Sequence, residues 1–314
     1  GRNKNQAMRK VFNDEKLNEE FIKNGYVRVP FISPEEAAEL KQKFFDTLPN
    51  SGGQITTEET GVENSRLVTY DFTFIDKNPE YKREVFNIIT KRFKPHVERL
   101  LADYRPVIAN YIRKQPTTGE VPLHENWAFA DERKCFTVSI WCPLVDSTVE
   151  NGTLQVVPGS HKRFGEIRGP MIPWELDNIK HEIINNHLVP LETKAGDCVI
   201  LDDSIVHYSA VNNSGGLRLA IQLICIPAEM PSIHYYMDPS KSMTEVQVLE
   251  VDVDFYMQFN PWKNPGNVKC IKTIPYRHHF IGEAEFIERL KKPRFDEQTE
   301  EKKGFFDKLK EAFA

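Results

Sequence analysis

From Arg105 to Pro227 the chain is a succession of short β-prone runs parted by Gly, Pro and Asn, and nothing else in it constrains the fold as far. The runs are "PVIANYIRKQ", "CFTVSIWCPLV", "TLQVVP", "HLVPLE", "DCVILD" and "LRLAIQLICIP". Spacing of this kind predicts an all-β sandwich, barrel or jelly roll. An insertion at about 161–186 interrupts the succession, with a helix expected around "PWELDNIKHEIIN".

Helices are expected before this β core. "DEKLNEEFIKNG" reads as a helix closed by Gly25 and is followed by a short strand, "YVRVP". At "SPEE", Ser33 can cap, Pro34 fits the first helical position and Glu36 reaches back to complete a capping box, so a helix runs to about Leu48. Its Ala37, Leu40, Phe44 and Leu48 recur at helical spacing and face the core. After a loop, "SGGQITTEETG", come a strand-like "RLVTYDFTFI" and a helix from about Glu80 to Asp103, bent or broken before Pro95, which cannot donate to the helical ladder.

Beyond Pro227, "EVQVLEVDVDFYMQF" alternates like a strand, while "GEAEFIERLKK" and "GFFDKLKEAFA" read as helices. The last places Phe305, Phe306, Leu309, Ala312 and Phe313 on one face. A short helix of mixed charge suits packing on its own domain or on a second subunit better than lying on a membrane. The chain therefore divides into a helical and strand segment packing on the core (1–104), a β core (105–228) and a C-terminal extension (229–314). That extension is either part of the same domain or a homo-oligomer contact.

A hydrophobic content of 40% with 20 phenylalanines is enough for one large core with extensions. The net charge of −5 and pI near 6.0 argue against a nucleic-acid binder, which needs a concentrated basic surface, and favour a small-molecule partner. Five cysteines, with no C-x-x-C pair and mostly within apolar runs, read as reduced core thiols and suit a cytoplasmic location. No apolar run approaches the roughly 20 residues that span a bilayer, and "GRNKNQAMRK" lacks a secretory apolar region.

Chemistry-bearing residues gather in two places. In "PLHENW" an extended backbone puts His124 and Asn126 on one face and Glu125 on the other, so Glu125 is a poor stand-in for an acid at 126. In "FTVSIW", Thr137, Ser139 and Trp141 share one face and form a polar wall. Arg218 sits inside the apolar run "LRLAIQL", where a charge needs a partner. In "ENGTLQVVPGSHK", Gly152, Pro158 and Gly159 serve turns, and His161 is expected to be structural. His96, His181, His187, His234, His278 and His279 are expected to be ordinary hydrogen-bonded side chains. Trp127, Phe129, Phe164, Trp174 and Tyr208 are candidates for an apolar pocket or for plain core.

The stretches "LHENWAFADERKCFTVSIWCPLVDSTVENGTLQVVPGSHK" and "AGDCVILDDSIVHYSAVNNSGGLRLAIQL", with "FIKNGYVRVPFISPEEAAELKQKF" near the start, resemble the phytanoyl-CoA dioxygenase family of Fe(II)- and 2-oxoglutarate-dependent oxygenases. The resemblance covers about residues 17–228 and implies a mainly β fold with flanking helices around a double-stranded β-helix, a cupin-like jelly roll. It implies a metal site of the H-x-D…H type, with His124 as the first histidine, His207 as the distal one and Asn126 in the place of the acid. It further implies that Arg218 and Ser209 grip the distal carboxylate of 2-oxoglutarate and that Trp141 contacts this cosubstrate, with Thr137 and Gln115 assigned by position alone. The implied reaction is O2-dependent oxidation of a small organic substrate, usually hydroxylation, with 2-oxoglutarate released as succinate and carbon dioxide. Halogenases of this type carry Gly or Ala where the acid is lost, and an asparagine side chain fills the place a halide would take. A homologue that binds metabolite without turnover, or a two-histidine cupin of another reaction type, are the remaining readings.

Overall fold

The computed structural model describes residues 8–56, 68–298, 309 and 311–313. The first helix, α1 (Glu15–Asn24), starts where the Asp14 carboxylate accepts from the Leu17 amide at 2.9 Å and ends on Gly25 in the left-handed region, φ 81°. Gly25 is also needed for space, because a Cβ there would stand 2.6 Å from Nδ1 of His161. His161 itself donates from Nε2 to the Ile22 carbonyl at 2.7 Å, which fastens the end of α1 to the β core. Burial pushes its imidazole down to about 3.

Strand β1 (Tyr26–Pro30) leads to α2 (Pro34–Thr47), which carries the expected capping box between Ser33 and Glu36. The expected strand at 66–75 shrinks to β2 (Asp71–Phe72) and a 3-10 turn over Thr73–Ile75 among the described residues. Helix α3 (Pro79–Leu100) does not break at Pro95. Its Ile89 and Phe93 before the proline and Val97 after it are all buried, and this packing on both sides holds the two halves as one element.

Ten of the remaining elements are β3 (Tyr104–Lys114), β4 (Val121–His124), β5 (Val138–Pro143), β6 (Leu154–Val156), α4 (Lys180–Asn186), β7 (Val189–Pro190), β8 (Asp197–Asp202), β9 (His207–Ser209), β10 (Arg218–Pro227) and β11 (Ile233–Tyr236). They are followed by β12 (Glu245–Glu250), α5 (Val253–Met257), β13 (Cys270–Pro275) and α6 (Glu283–Leu290). A six-stranded sheet runs β1-β8-β5-β10-β3-β2, a four-stranded sheet β4-β9-β6-β7, and a three-stranded sheet β11-β12-β13. Every pairing is antiparallel. Trp141, Val199 and Ala220 of the larger sheet meet Leu154 and Val156 of the four-stranded one, so the two sheets face each other as a jelly roll, the double-stranded β-helix expected.

The outer face of the larger sheet is buried too. Val138, Ile140, Ile200 and Ile221 pack against Phe21, Leu40, Phe44, Val85 and Phe93 of the helices. Burial on both faces explains why "DCVILD" and "LRLAIQLICIP" are continuous apolar runs instead of alternating ones. From the segment before residue 105, β1 and β2 are the outer strands of this sheet and cover the edges of β8 and β3. The C-terminal extension packs over both sheets. Leu249, Tyr256 and Phe259 pack with Ile108 and Ile224, and Ile281 and Phe286 pack with Phe164 and Ile183 over the four-stranded sheet. The expected helix "GFFDKLKEAFA" lies largely outside the described residues. No helix among those described is long and apolar enough to cross a membrane. Four of the five cysteines are buried and free, while Cys270 is exposed on β13.

Candidate active site

Strand β4 ends on His124, β9 begins on His207, and the antiparallel register sets the two residues opposite each other. Their ring centroids are 4.1 Å apart. Nδ1 of His124 lies 2.7 Å from the Pro122 carbonyl, and Nδ1 of His207 lies 2.8 Å from the Ile205 carbonyl. A carbonyl can only accept, so each Nδ1 carries the hydrogen and each Nε2 presents a lone pair. Burial holds both imidazoles below their usual value, that of His207 well below it, with the neighbouring His124 adding to the effect.

Oδ1 of Asn126 lies 3.2 Å from Nε2 of His124. Two acceptors thus face one another, an arrangement that a cation resolves. Metal–ligand bonds of about 2.1 Å at right angles set neighbouring donors roughly 3 Å apart, so the spacing fits a divalent metal held by imidazole and oxygen. Among the described residues no group of three His, Cys, Asp or Glu side chains could hold a metal, and the third donor here is an amide. The NH2 end of Asn126 donates to Oγ of Ser139 at 3.1 Å and to Oδ1 of Asp203 at 3.0 Å. Burial pushes Asp203 up to about 7 against the pull of its hydrogen bonds from Ser139, Thr137 and Asn126.

Glu125 does not reach the imidazoles. Its Oε2 accepts from Nε1 of Trp174 at 2.7 Å, and its buried Oε1 has no partner. Burial pushes this carboxyl up to about 8.

On the larger sheet, Arg218 opens β10 directly across from Lys114, the last residue of β3. Both are buried, at 1% and 0% exposure, and among the described residues neither has an acidic partner within ion-pair distance. Lys114 Nζ donates to Oγ of Ser209 at 2.7 Å and to the carbonyls of Ala210 at 2.5 Å and Gly152 at 3.2 Å. Arg218 donates from Nη1 to the Gly152 carbonyl, lies over the Trp141 ring at 5.5 Å, and leaves Nε without a partner. Burial pulls Arg218 down to about 9, so it stays charged at neutral pH. Burial, and then the neighbouring guanidinium, pushes Lys114 down to about 6. A desolvated guanidinium beside an amine that an arriving anion would protonate, with no acid among the described residues to pair either, forms a site for an anion.

One cavity of about 120 Å³ contains both features: His124, Asn126, His207, Trp141, Ser209 and Arg218 all line it. A second chamber, about 310 Å³, shares His124 and Asn126 with the first and is otherwise walled largely by apolar and aromatic residues, Phe74, Trp127, Phe129 and Trp262 among them. A wider cleft of about 1150 Å³ reaches His124 and Glu125 past Phe164 and Trp174.

Two residues expected to contact the cosubstrate lie outside this cavity. Thr137 lies one layer too deep, with its hydroxyl donating to Oδ2 of Asp203 at 2.6 Å, and it does not line the cavity. Gln115 is exposed in the turn beyond β3, because the strand ends one residue before it. The residue beside Arg218 at this end of β3 is Lys114. Asp203 was also missed, although "VILDDS" carries two acids straight off a buried strand, which is the available signal. Asn110 and Gln222, hydrogen-bonded to each other at 3.1 Å across β3 and β10, complete the wall between the sheets.

The sequence profile of the phytanoyl-CoA dioxygenase (PhyH) family matches residues 21–220. A phytanoyl-CoA dioxygenase domain-containing protein 1 homolog of Dictyostelium discoideum is 31% identical over 219 residues, covering 61% of this chain and 74% of that protein. Phytanoyl-CoA dioxygenase 1 of Oryza sativa subsp. japonica is 36% identical over 134 residues, which is 40% of this chain and 46% of the rice protein. Among solved structures, the carbocyclase SnoK from nogalamycin biosynthesis has 20% identity and a TM-score of 0.49, covering 70% of this chain and 86% of SnoK. EctD from S. alaskensis with bound Fe has 19% identity and a TM-score of 0.46, covering 71% and 79%.

Proposed function

The chain belongs to the phytanoyl-CoA dioxygenase family of iron- and 2-oxoglutarate-dependent oxygenases, and on that premise we propose that it hydroxylates a small, largely apolar organic compound. The observation that carries the reading is the single small cavity in which two lone-pair imidazoles and an unpaired buried guanidinium meet. Bound there, Fe(II) and 2-oxoglutarate supply the O2-dependent oxidation, with succinate and carbon dioxide as coproducts.

The chain's own residues do the rest. His124, Asn126 and His207 hold the metal, and the carbonyls of Pro122 and Ile205 fix both ring orientations before it arrives. Arg218 and Lys114 attract the remote carboxylate. Because the Ser209 oxygen accepts from Lys114, its own hydrogen is free to donate into the cavity. Substrate occupies the aromatic chamber, whose walls keep water from the reacting bond, and the unpaired Oε1 of Glu125 meets a polar group on it. Asn126 occupies the space a halide would need, which favours hydroxylation over halogenation.

The test is succinate release from 2-oxoglutarate by Fe(II)-loaded protein across a panel of apolar metabolites, with His207→Ala as control. Metal-dependent release that the variant loses is expected. Binding of 2-oxoglutarate with no release on any substrate would leave the chain a metabolite-binding homologue, and no binding would remove the reading.

A further inference from the structure

We propose that Asp203 is the positioning residue of the metal site: by accepting from the amide NH2 of Asn126 it turns the carbonyl oxygen of Asn126 toward the histidines. The inference rests on the reading that His124, Asn126 and His207 hold a divalent metal.

The two ends of an asparagine amide have almost the same shape, so its neighbours decide which end faces the metal. Here the neighbour is an acid with 0% exposure that receives Nδ2 of Asn126 at 3.0 Å and the Ser139 hydroxyl at 2.6 Å on Oδ1, and the Thr137 hydroxyl at 2.6 Å on Oδ2. Turning the amide over would set oxygen against oxygen with no hydrogen between them. The backbone cannot swing away to avoid this. The Asn126 amide donates to the Asp203 carbonyl at 2.9 Å, and the Asn126 carbonyl accepts from Nε of Arg168 at 2.6 Å. Arg168 is itself held by Glu132 through two contacts of 2.8 Å.

From size alone, aspartate should replace Asn126 without repacking. In place, it would push a second carboxylate oxygen to about 3 Å from that of Asp203. Residues 126 and 203 are therefore a matched amide–acid pair, with the acid moved outward. The asparagine is a working part of the site.

The test is a swap read by metal affinity alone. Cobalt(II) dissociation constants and visible absorption are measured for the whole protein and for Asp203→Asn, Asn126→Asp, the double swap and His207→Ala. Asp203→Asn should weaken cobalt about 10- to 100-fold in the natural background, the range for a residue that orients a ligand, yet strengthen it about 10-fold when Asn126→Asp is present. That reversal of sign is what the pairing requires, because the swapped amide then donates to the new acid. Asp203→Asn acting in the same direction in both backgrounds, or changing affinity by under about threefold in either, overturns the proposal. If a single variant is too unstable to titrate, melting decides: the swap should restore the melting temperature, and a swap that melts no higher overturns the pairing. Failure of the natural protein to bind cobalt, or unchanged binding by His207→Ala, instead overturns the metal site and the proposal with it.

Discussion

Replacing Arg218 by methionine should leave the ligand-free protein about as stable while removing much of its affinity for 2-oxoglutarate. In the folded protein Arg218 lies beside Lys114 and has 1% exposure, with no acid among the described residues to balance it. Exchanging a buried charged group for a hydrophobic one of similar volume is worth about 0 to 4 kcal/mol of stability. Against this stand the contact over Trp141, about 1 kcal/mol, and the hydrogen bond to the Gly152 carbonyl, about 1 kcal/mol. The Gly152 carbonyl still accepts from Lys114 at 3.2 Å, so nothing is left orphaned. The net is about −2 to +2 kcal/mol, centred on no change. For a chain of 314 residues, about 1 kcal/mol moves the melting temperature by about 1.5 °C.

The ligand effect has a definite sign. A charge-assisted pair is worth about 1.5 to 3 kcal/mol, or roughly 10- to 150-fold in affinity. At 100 times its dissociation constant, 2-oxoglutarate should raise the natural protein's melting temperature by about 4 °C, from about 2.7 kcal/mol of binding. At the same concentration a variant weakened about 30-fold should gain only about 1.3 °C. Anaerobic melting curves with Fe(II), with and without 2-oxoglutarate, measure both quantities. A variant that melts lower than the natural protein and keeps the full ligand-induced shift would show Arg218 to be a structural cation.

Four further outcomes follow from the same geometry. Lys114 has a folded value of about 6 against an ordinary 10.5, so between those limits the unfolded chain binds one more proton and stability rises with pH; Lys114→Met should flatten that rise in denaturant titrations. Binding of the 2-oxoglutarate dianion at pH 8 should draw a proton onto Lys114, seen as buffer-dependent binding heats that vanish in the same variant and at pH 5. His207→Ala should lose iron while melting cooperatively, whereas His161→Ala should keep its iron but melt lower, because His161 fastens the end of α1; iron content by chelator assay and thermal melts separate them. Gly152→Ala should destabilise by more than about 1 kcal/mol, since φ is 84° and the new Cβ would sit 2.3 Å from the Ala210 carbonyl oxygen; comparable denaturation midpoints would refute this.

The sequence revealed elements whose signals are local. The capping box at Ser33, the stop at Gly25 and the β-prone runs each depend on a few neighbouring residues, and each stands where expected. What it could not reveal depends on distant packing. Pro95 is tolerated because buried residues flank it from across the core, and β1 joins the central sheet by pairing with β8, some 170 residues later in the chain. The site divides in the same way. His124, His207 and Arg218 are marked by their own surroundings in the chain. Lys114 and Asp203 acquire a role only through partners on other strands, Ser209 for one and Asn126 for the other.

The strands that carry the imidazoles are short. β4, β9, β6 and β7 have 4, 3, 3 and 2 residues, while β3 and β10 of the facing sheet have 11 and 10. Ladders that brief hold few hydrogen bonds of their own, so the four-stranded sheet should be the first part to open in local fluctuations. A cosubstrate that reached His124 and His207 on this sheet through a metal, and Arg218 on the other sheet directly, would be a strut between the weaker wall and the stronger. Occupancy should therefore slow amide hydrogen exchange along β4 and β9 while leaving β3 and β10 almost unchanged. The ligand would then complete the barrel mechanically as well as chemically, and the open state through which it enters would be a loosening of this one sheet.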